Sequence, residues 1–332
     1  MALIEAHGLT KVFRLADKSP GLAGSLRHLI RPRYQEHAAV RDVDLRIEAG
    51  EAVAYVGPNG AGKSTTVKLL SGIVVPTAGE VLVAGCVPHR QRRANARRIG
   101  VLFGQRSQLW WDLPVRDSLE LLRDIYGVPE RLYRAQLDKF DASFALGELL
   151  PVMARKLSLG QRMRADLAAA LLHDPAVLYL DEPTIGLDIT TKDQVRTMLR
   201  RLCEQGTTIL LTTHDLADIE DLCQRIVIID AGSIVFDGPI ATIKDLLATD
   251  RTVHFALAGA APPDLVRSLP GVRASQGGSS RHLSITFDRL MFTAGQVTKA
   301  VAAQADIVDM WIDEPRIEDV VRRIYARDYE LR

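Results

Sequence analysis

Cysteine is scarce in this sequence. Cys86, Cys203 and Cys223 are far apart and form no CxxC pair, which argues against a disulfide framework or a zinc site and fits a reducing compartment. Long apolar runs are also missing. No stretch approaches the roughly 18 residues needed to span a bilayer, and the first residues lack the charged-then-apolar pattern of a secretory leader. If such a chain serves a membrane, another polypeptide is expected to cross it. Charge of one sign is lacking too: the formal net charge is +1, whereas a dedicated nucleic-acid binder is usually strongly basic. No internal repeat or low-complexity run is present. What remains is 332 residues of ordinary globular composition, enough for one large domain and a smaller one.

The apolar pattern divides the chain. Residues 2–13 read as a strand. Residues 14–37 are broken by Pro20, Gly21, Gly24 and Pro32 and are rich in basic side chains, so they read as an insertion, with a short helix at 25–30 and the regular pattern resuming at Ala39. From Glu51 the order is strand, glycine-rich loop, helix. Short apolar strands follow at 99–103, 177–180, 208–211 and 226–229, the last three alternating with helical stretches. That alternation predicts an α/β fold with a mostly parallel sheet covered on both faces. Residues 112–154 read as helical and as a separate lobe. After residue 250 the texture becomes strand (VHFALAG), strand (HLSITFD), helix (TAGQVTKAVAAQ), strand (IVDMWID) and a last helix (RIEDVVRRIYA), a small α/β appendage over 250–332.

Residues 57–64, GPNGAGKS, match GxxxxGK[ST] in the strand–loop–helix setting that gives the motif its meaning. Gly57, Gly60 and Gly62 let the backbone curl so that its N–H groups face phosphate oxygens. The following helix adds the positive end of its dipole. Lys63 supplies a mobile charge for the β- and γ-phosphates, and the Ser64 hydroxyl suits Mg²⁺. Pro58, Asn59, Ala61 and Thr65 complete the expected phosphate-binding stretch. Downstream, VLYLDE at 177–182 is a buried strand ending in two acids. Asp181 is placed for Mg²⁺ and Glu182 for the water that attacks the γ-phosphate. The only asparagines are Asn59 and Asn95, and neither begins an NKxD-type guanine-reading motif, so a GTPase is disfavoured.

The stretch KLSLGQRMRADLAAALLHDPAVLYLDEPTIGLD resembles the ABC ATPase family, in which an LSGGQ signature precedes the acidic strand by one helix. Here the signature reads Leu157-Ser158-Leu159-Gly160-Gln161. Leu159 stands where the family has a glycine, which requires an ordinary φ or local strain there. Ser158, Gly160 and Gln161 match the residues that in the family meet the γ-phosphate side of the nucleotide. The resemblance, which covers residues 2–245, implies further roles. Gln105 matches the glutamine that senses Mg²⁺ and couples to the permease. Asp188, in Gly186-Leu187-Asp188, matches the D-loop. His214 matches the switch histidine at the γ-phosphate, and Phe13 the aromatic that stacks on adenine. An isolated Phe or His is more often core; the ordered set is what favours these roles. The implied architecture is an ABC cassette over 1–245 with a mostly parallel core sheet, an antiparallel β subdomain and a helical lobe at about 112–160, followed by the appendage. The implied cofactors are ATP and Mg²⁺. The implied assembly is a head-to-tail dimer, with two identical copies permitted, that closes around two ATP molecules.

One cassette without a coiled-coil or zinc insertion favours a transporter subunit, peripheral on the cytoplasmic face and paired with separate permease subunits, with no nucleic acid expected. A soluble regulatory or nucleic-acid-linked ATPase and an importer ATPase are the alternatives. Trp110 and Trp111 follow the segment where the family docks its permease, so at least one is expected at that contact. The ending EPRIEDVVRRIYA resembles the tail of drug-export ATPases of the daunorubicin type, and the basic insertion with QLWWDLP resembles the viologen-exporter-like branch of that group. The insertion suits either anionic lipid headgroups or plain solvent; residues 90–98, RQRRANARR, read as an exposed helical face.

Overall fold

The computed structural model describes residues 2–16, 34–104, 107–213, 215–247, 250–260, 272–276, 281–289 and 291–313. The middle of the basic insertion, Gln105, His214 and the final helix expected after residue 313 lie outside the described residues. The chain divides into two compact units, Met1–Gly238 and Pro239–Arg332.

In the first unit, β1 (Ala2–Ala16), β2 (Tyr34–Glu48) and β4 (Ala78–Val83) form an antiparallel sheet in the order β2-β1-β4. Both ends of the stretch 14–37 are therefore strand. Arg14 pairs with Glu36 and Ala16 with Tyr34, so residues 14–16 and 34–37 continue the ladder instead of leaving it. The reason is cross-strand pairing, which a one-strand pattern does not reveal: Tyr34, Gln35, Glu36 and His37 are all exposed, so no apolar alternation marks them as strand.

Six strands form the core sheet in the order β5-β6-β7-β3-β8-β9. They are β3 (Ala52–Val56), β5 (Ile99–Phe103), β6 (Val177–Asp181), β7 (Thr208–Thr212), β8 (Arg225–Asp230) and β9 (Ser233–Pro239). The pairs β5/β6, β6/β7, β7/β3 and β3/β8 are parallel. Central strands such as AVAYV and VLYLD are apolar throughout because both faces are covered. Tyr55, Tyr179, Leu210 and Val227 join Ile4, Leu9 and Ile47 of the antiparallel sheet in one core. Helix α1 (Lys63–Leu70) follows the glycine-rich loop, and α2 (Arg92–Ala96) carries the exposed arginines of the basic run.

The helical lobe contains α3 (Val115–Tyr126), α4 (Glu130–Phe144) and α5 (Leu159–Leu171). Val115, Leu119 and Leu122 recur on one face of α3 and are buried, the spacing of an amphipathic helix. Helices α6 (Ile189–Glu204) and α7 (Leu216–Leu222) flank β7, and α8 (Ile240–Leu247) begins the second unit.

The second unit is a four-stranded antiparallel sheet in the order β11-β12-β10-β13, from β10 (Asp250–Leu257), β11 (Arg273–Gln276), β12 (His282–Asp288) and β13 (Ile307–Asp313), with helix α9 (Ala294–Ala302). Val253, Phe255, Leu283, Ile285 and Phe287 alternate inward and pack with Val297 and Val301 of α9. Among the described residues no helix is long and apolar enough to cross a membrane.

Candidate functional site

In parallel sheets covered by helices, ligands sit beyond the carboxyl ends of the strands, and part of the candidate set gathers there. A cleft of about 410 Å³ is lined by Asn59, Gly60, Gly62, Lys63, Ser64 and Thr65 from the loop after β3. Asp181 and Glu182 line it from the end of β6, and Phe13 and His37 from the β1–β2 ladder. Gly57 and Ala61 are buried beneath this surface. The loop conformation needs its glycines. Gly62 has φ +114°, and a Cβ there would stand 2.4 Å from the Ala39 carbonyl oxygen. At Gly57 the limit is space alone, since a Cβ would stand 2.2 Å from the Ile229 carbonyl oxygen. Backbone and backbone therefore touch where any other residue would force them apart.

Lys63 is buried at the start of α1, and its Nζ donates to the carbonyl oxygens of Gly57 at 2.5 Å and Pro58 at 3.1 Å. Burial lowers its pKa from the ordinary lysine value; Glu182 and Asp181 oppose this without cancelling it. Ser64 Oγ stands 3.5 Å from Asp181 Oδ2, while Thr212 Oγ1 donates to the other oxygen, Oδ1. The carboxylate is thus oriented by the neighbouring strand, with one oxygen facing the loop hydroxyl. Glu182 follows with φ +55°, a left-handed conformation that costs a non-glycine residue about 1–3 kcal/mol. Its N–H donates to the Thr212 carbonyl oxygen at 2.8 Å, which pins the turn.

The signature residues do not line this cleft. Ser158 caps α5: its Oγ accepts from the Gln161 N–H at 3.2 Å, and Gln161 Oε1 accepts from the Ser158 N–H at 2.9 Å. The Ser-x-x-Gln spacing is a capping box, a signal present in the sequence apart from any resemblance. Leu159 is the first residue of α5 and has no positive φ, so the leucine fits without backbone strain. Its Cδ2 would meet a Cβ on Gly186 at 2.8 Å, and a Cβ on Gly160 would meet Thr191 at 2.9 Å. The start of α5 therefore packs on the turn before α6. Asp188 caps α6, accepting from Thr191 N–H at 3.0 Å and Thr191 Oγ1 at 2.7 Å. These hydrogen bonds hold its pKa below the usual aspartate value.

Gln105 and His214 lie outside the described residues. Asp166 of α5 accepts from Ser107 Oγ and from the Gln108 N–H, each at 2.8 Å, and so anchors the chain just after position 105. Trp110 and Trp111 are 40% and 54% exposed, so they are not both buried in the helical lobe. His37 was missed from the sequence because it fell within the presumed insertion; its pairing with Phe13 across β1 and β2 brings both to the cleft.

Comparison with known proteins finds ABC transporter ATP-binding proteins similar to this chain. A family model described as "ABC transporter" matches residues 40–185. The chain is 33% identical over 301 residues to the daunorubicin resistance ATP-binding protein DrrA3 of Streptomyces coeruleorubidus, covering 90% of this chain and 95% of that one. It is 32% identical over 260 residues to the methionine import ATP-binding protein MetN 2 of Enterococcus faecalis, covering 77% and 70%. A solved ATP-binding subunit of an ABC transporter aligns with TM-score 0.62 at 26% identity, over 74% of this chain and 93% of that chain.

Proposed function

The chain belongs to the ABC transporter family, as an ATP-binding subunit with ATPase activity, and from that premise we propose that it is the motor of an exporter. In this reading it pairs with a second ATPase subunit, which an identical copy can supply, and drives separate permease subunits from the cytoplasmic face of the membrane. The observation that carries the ATPase role is the convergence of Lys63, Ser64, Asp181 and Glu182 on one cleft. Export is supported by likeness to a daunorubicin resistance protein over 95% of its length. Import is the second reading, supported by the methionine-import relative.

The nucleotide's phosphates lie along residues 57–65, where backbone N–H groups and the dipole of α1 favour negative charge. Lys63 turns from its own loop carbonyls to the β- and γ-phosphates, whose negative charge favours the charged form that burial disfavours. Ser64 and Asp181 present two hard oxygen donors, the chemistry that fits Mg²⁺, which is held by few protein oxygens and completes its shell with phosphate and water. Among the described residues no cluster of three or more His, Cys, Asp or Glu side chains could hold a metal by itself. Bound there, Mg²⁺ would supply positive charge against the phosphates. Glu182, one residue beyond Asp181, orients and polarises the attacking water. Gln105 and His214 join the γ-phosphate site in this reading, and Phe13 stacks on the base.

Ser158, Gly160, Gln161 and Asp188 stand apart from the cleft of their own chain. Their separation supports a shared site, in which the signature of one subunit closes over the nucleotide of the other. ATP then shifts an open–closed equilibrium because the γ-phosphate makes contacts in only one state. The exposed Trp110–Trp111 pair supports permease docking beside this site.

The test is ATP turnover by the full-length chain. Glu182→Gln is expected to lower kcat by about 10²–10⁴-fold, the usual worth of a positioned base, with ATP binding retained; unchanged turnover would remove Glu182 from its role. For the transporter reading, the tagged chain is expected to recover a multi-span protein from native membranes. Trp110→Ala with Trp111→Ala should weaken that recovery while leaving the fold intact.

A further inference from the structure

Helices α6 and α7 are joined by a ladder of ion pairs. Lys192, Arg196 and Arg200 recur every fourth residue on one face of α6. They meet Asp215, Asp218 and Asp221. Lys192 Nζ donates to Asp215 Oδ2 at 2.5 Å, and Arg196 Nε donates to Asp218 Oδ1 at 2.6 Å. Arg196 also reaches Asp215 Oδ1 at 3.4 Å, and Arg200 pairs with Asp221. The rungs are unequal. Arg200 and Asp221 are 48% and 31% exposed, and such pairs contribute little. The Asp218 side chain is fully buried, and a buried carboxylate persists only when its oxygens are satisfied.

The other partners of Asp218 lead toward the reaction site. Its Oδ2 accepts from the Thr184 hydroxyl and from Thr213 Oγ1 at 3.4 Å; both threonines are buried. Thr184 lies in the turn between Glu182 and Asp188, closed by Ile185 N–H to the Glu182 carbonyl at 3.4 Å and Leu187 N–H to the Thr184 carbonyl at 3.2 Å. Glu182 enters this turn in its left-handed conformation. Such a conformation lasts only where the surroundings hold it. The Thr212 carbonyl holds it before the turn, and the Thr184–Asp218–Arg196 chain holds the turn itself.

We propose that Asp218, fixed by Arg196, is a positioning residue for ATP hydrolysis: through the Thr184 hydroxyl it sets the turn that carries Glu182 at one end and Asp188 at the other. Asp218 lies outside the nucleotide cleft and acts through Glu182, whose displacement by even about 1 Å can cost on the order of 100-fold in rate. The proposal rests on the ATPase reading above.

Thr184→Val removes the hydroxyl at nearly constant volume. In the full-length chain kcat should fall at least about tenfold, with KM and the Kd for ATP within about twofold of the parent. Thr184→Ser should recover kcat to within about threefold. Arg200→Ala, which breaks only the exposed rung, should leave kcat unchanged. Thr184→Val at parental kcat, Thr184→Ser as slow as Thr184→Val, or a rise in Kd matching the loss of rate each overturns the proposal. If the valine variant is unfolded at the assay temperature, Thr184→Ala, which also removes the hydroxyl that Asp218 accepts from and adds no new contact, is read by the same criteria through its kcat and Kd. Glu182→Gln measured alongside separates the two levels. An inactive parent, or one indifferent to Glu182→Gln, refutes the ATPase reading. A Glu182-dependent parent with a fast Thr184→Val refutes the positioning role alone.

Discussion

Phe13 and His37 face each other across the β1–β2 ladder, and both side chains line the cleft that also holds Lys63, Ser64, Asp181 and Glu182. The ring of Phe13 lies 5.2 Å from Lys11 Nζ, a cation that holds one side of it. Stacking a base on an aromatic ring is worth about 1–3 kcal/mol. Phe13→Ala should therefore raise the Kd for ATP by roughly 5- to 150-fold and leave kcat at saturating ATP nearly unchanged, because the base is remote from the transferred phosphoryl group. A fall in kcat at unchanged Kd, by equilibrium binding and steady-state kinetics, would instead place Phe13 in the chemistry. Phe13 was legible only through the ordered motifs around it, since a lone phenylalanine carries no signal. His37 was not legible at all, because the strand that presents it has no apolar alternation at its start and follows a run of prolines and glycines. By contrast Lys63 and Ser64 were readable directly, because phosphate chemistry dictates their identity and spacing on a strand–loop–helix, and Asp181 and Glu182, at the end of a separate apolar strand, became readable once paired with that loop.

Helix α5 couples two parts of the site that are distant in sequence. Its first turn carries the signature, and its third turn carries Asp166, which holds Ser107 and Gln108 just beyond position 105. Burial raises the Asp166 pKa above the ordinary aspartate value, against the opposing hydrogen bonds from Gln108 and Ser107 and the charge of Arg162. The sign of the consequence follows from linkage. Above the ordinary value of 3.8 the unfolded chain gives up this proton first, so the folded state binds more protons and stability falls as pH rises through that window. Asp166→Asn keeps an acceptor for Ser107 and Gln108 and removes the buried charge. It should flatten this fall and raise the melting temperature at neutral pH relative to its value near pH 4. A neutral-pH melting temperature below the parent's would mean that the charge itself is required to hold Ser107 and Gln108. None of this was visible in the sequence, where Asp166 is one acid on an alanine-rich helix. The helix and its capping box were visible, because local spacing determines them.

Each unit of the molecule has its own core. Ile4, Tyr55, Leu70, Tyr179 and Val227 belong to one, and Val253, Phe255, Ile285, Phe287 and Val301 to the other. The second core was legible from the strict alternation in VHFAL and LSITF, which needs no family resemblance, whereas the work of that unit leaves no chemical signature in its sequence. Its integrity can still be tested apart from the first unit. Phe255 is fully buried against α9, and truncating a buried phenylalanine costs about 3–5 kcal/mol. Trp311, stacked on His254 with centroids 5.0 Å apart, is an internal reporter of the β10–β13 pair. In a Trp110→Phe, Trp111→Phe background it is the sole tryptophan fluorophore, since the chain has three tryptophans. Phe255→Ala should lower the unfolding midpoint seen by Trp311 while the ATP-stabilised transition of the first unit keeps its midpoint. If both transitions fall together by the same amount, the two cores are energetically one, and truncation of the second unit should then abolish ATP binding.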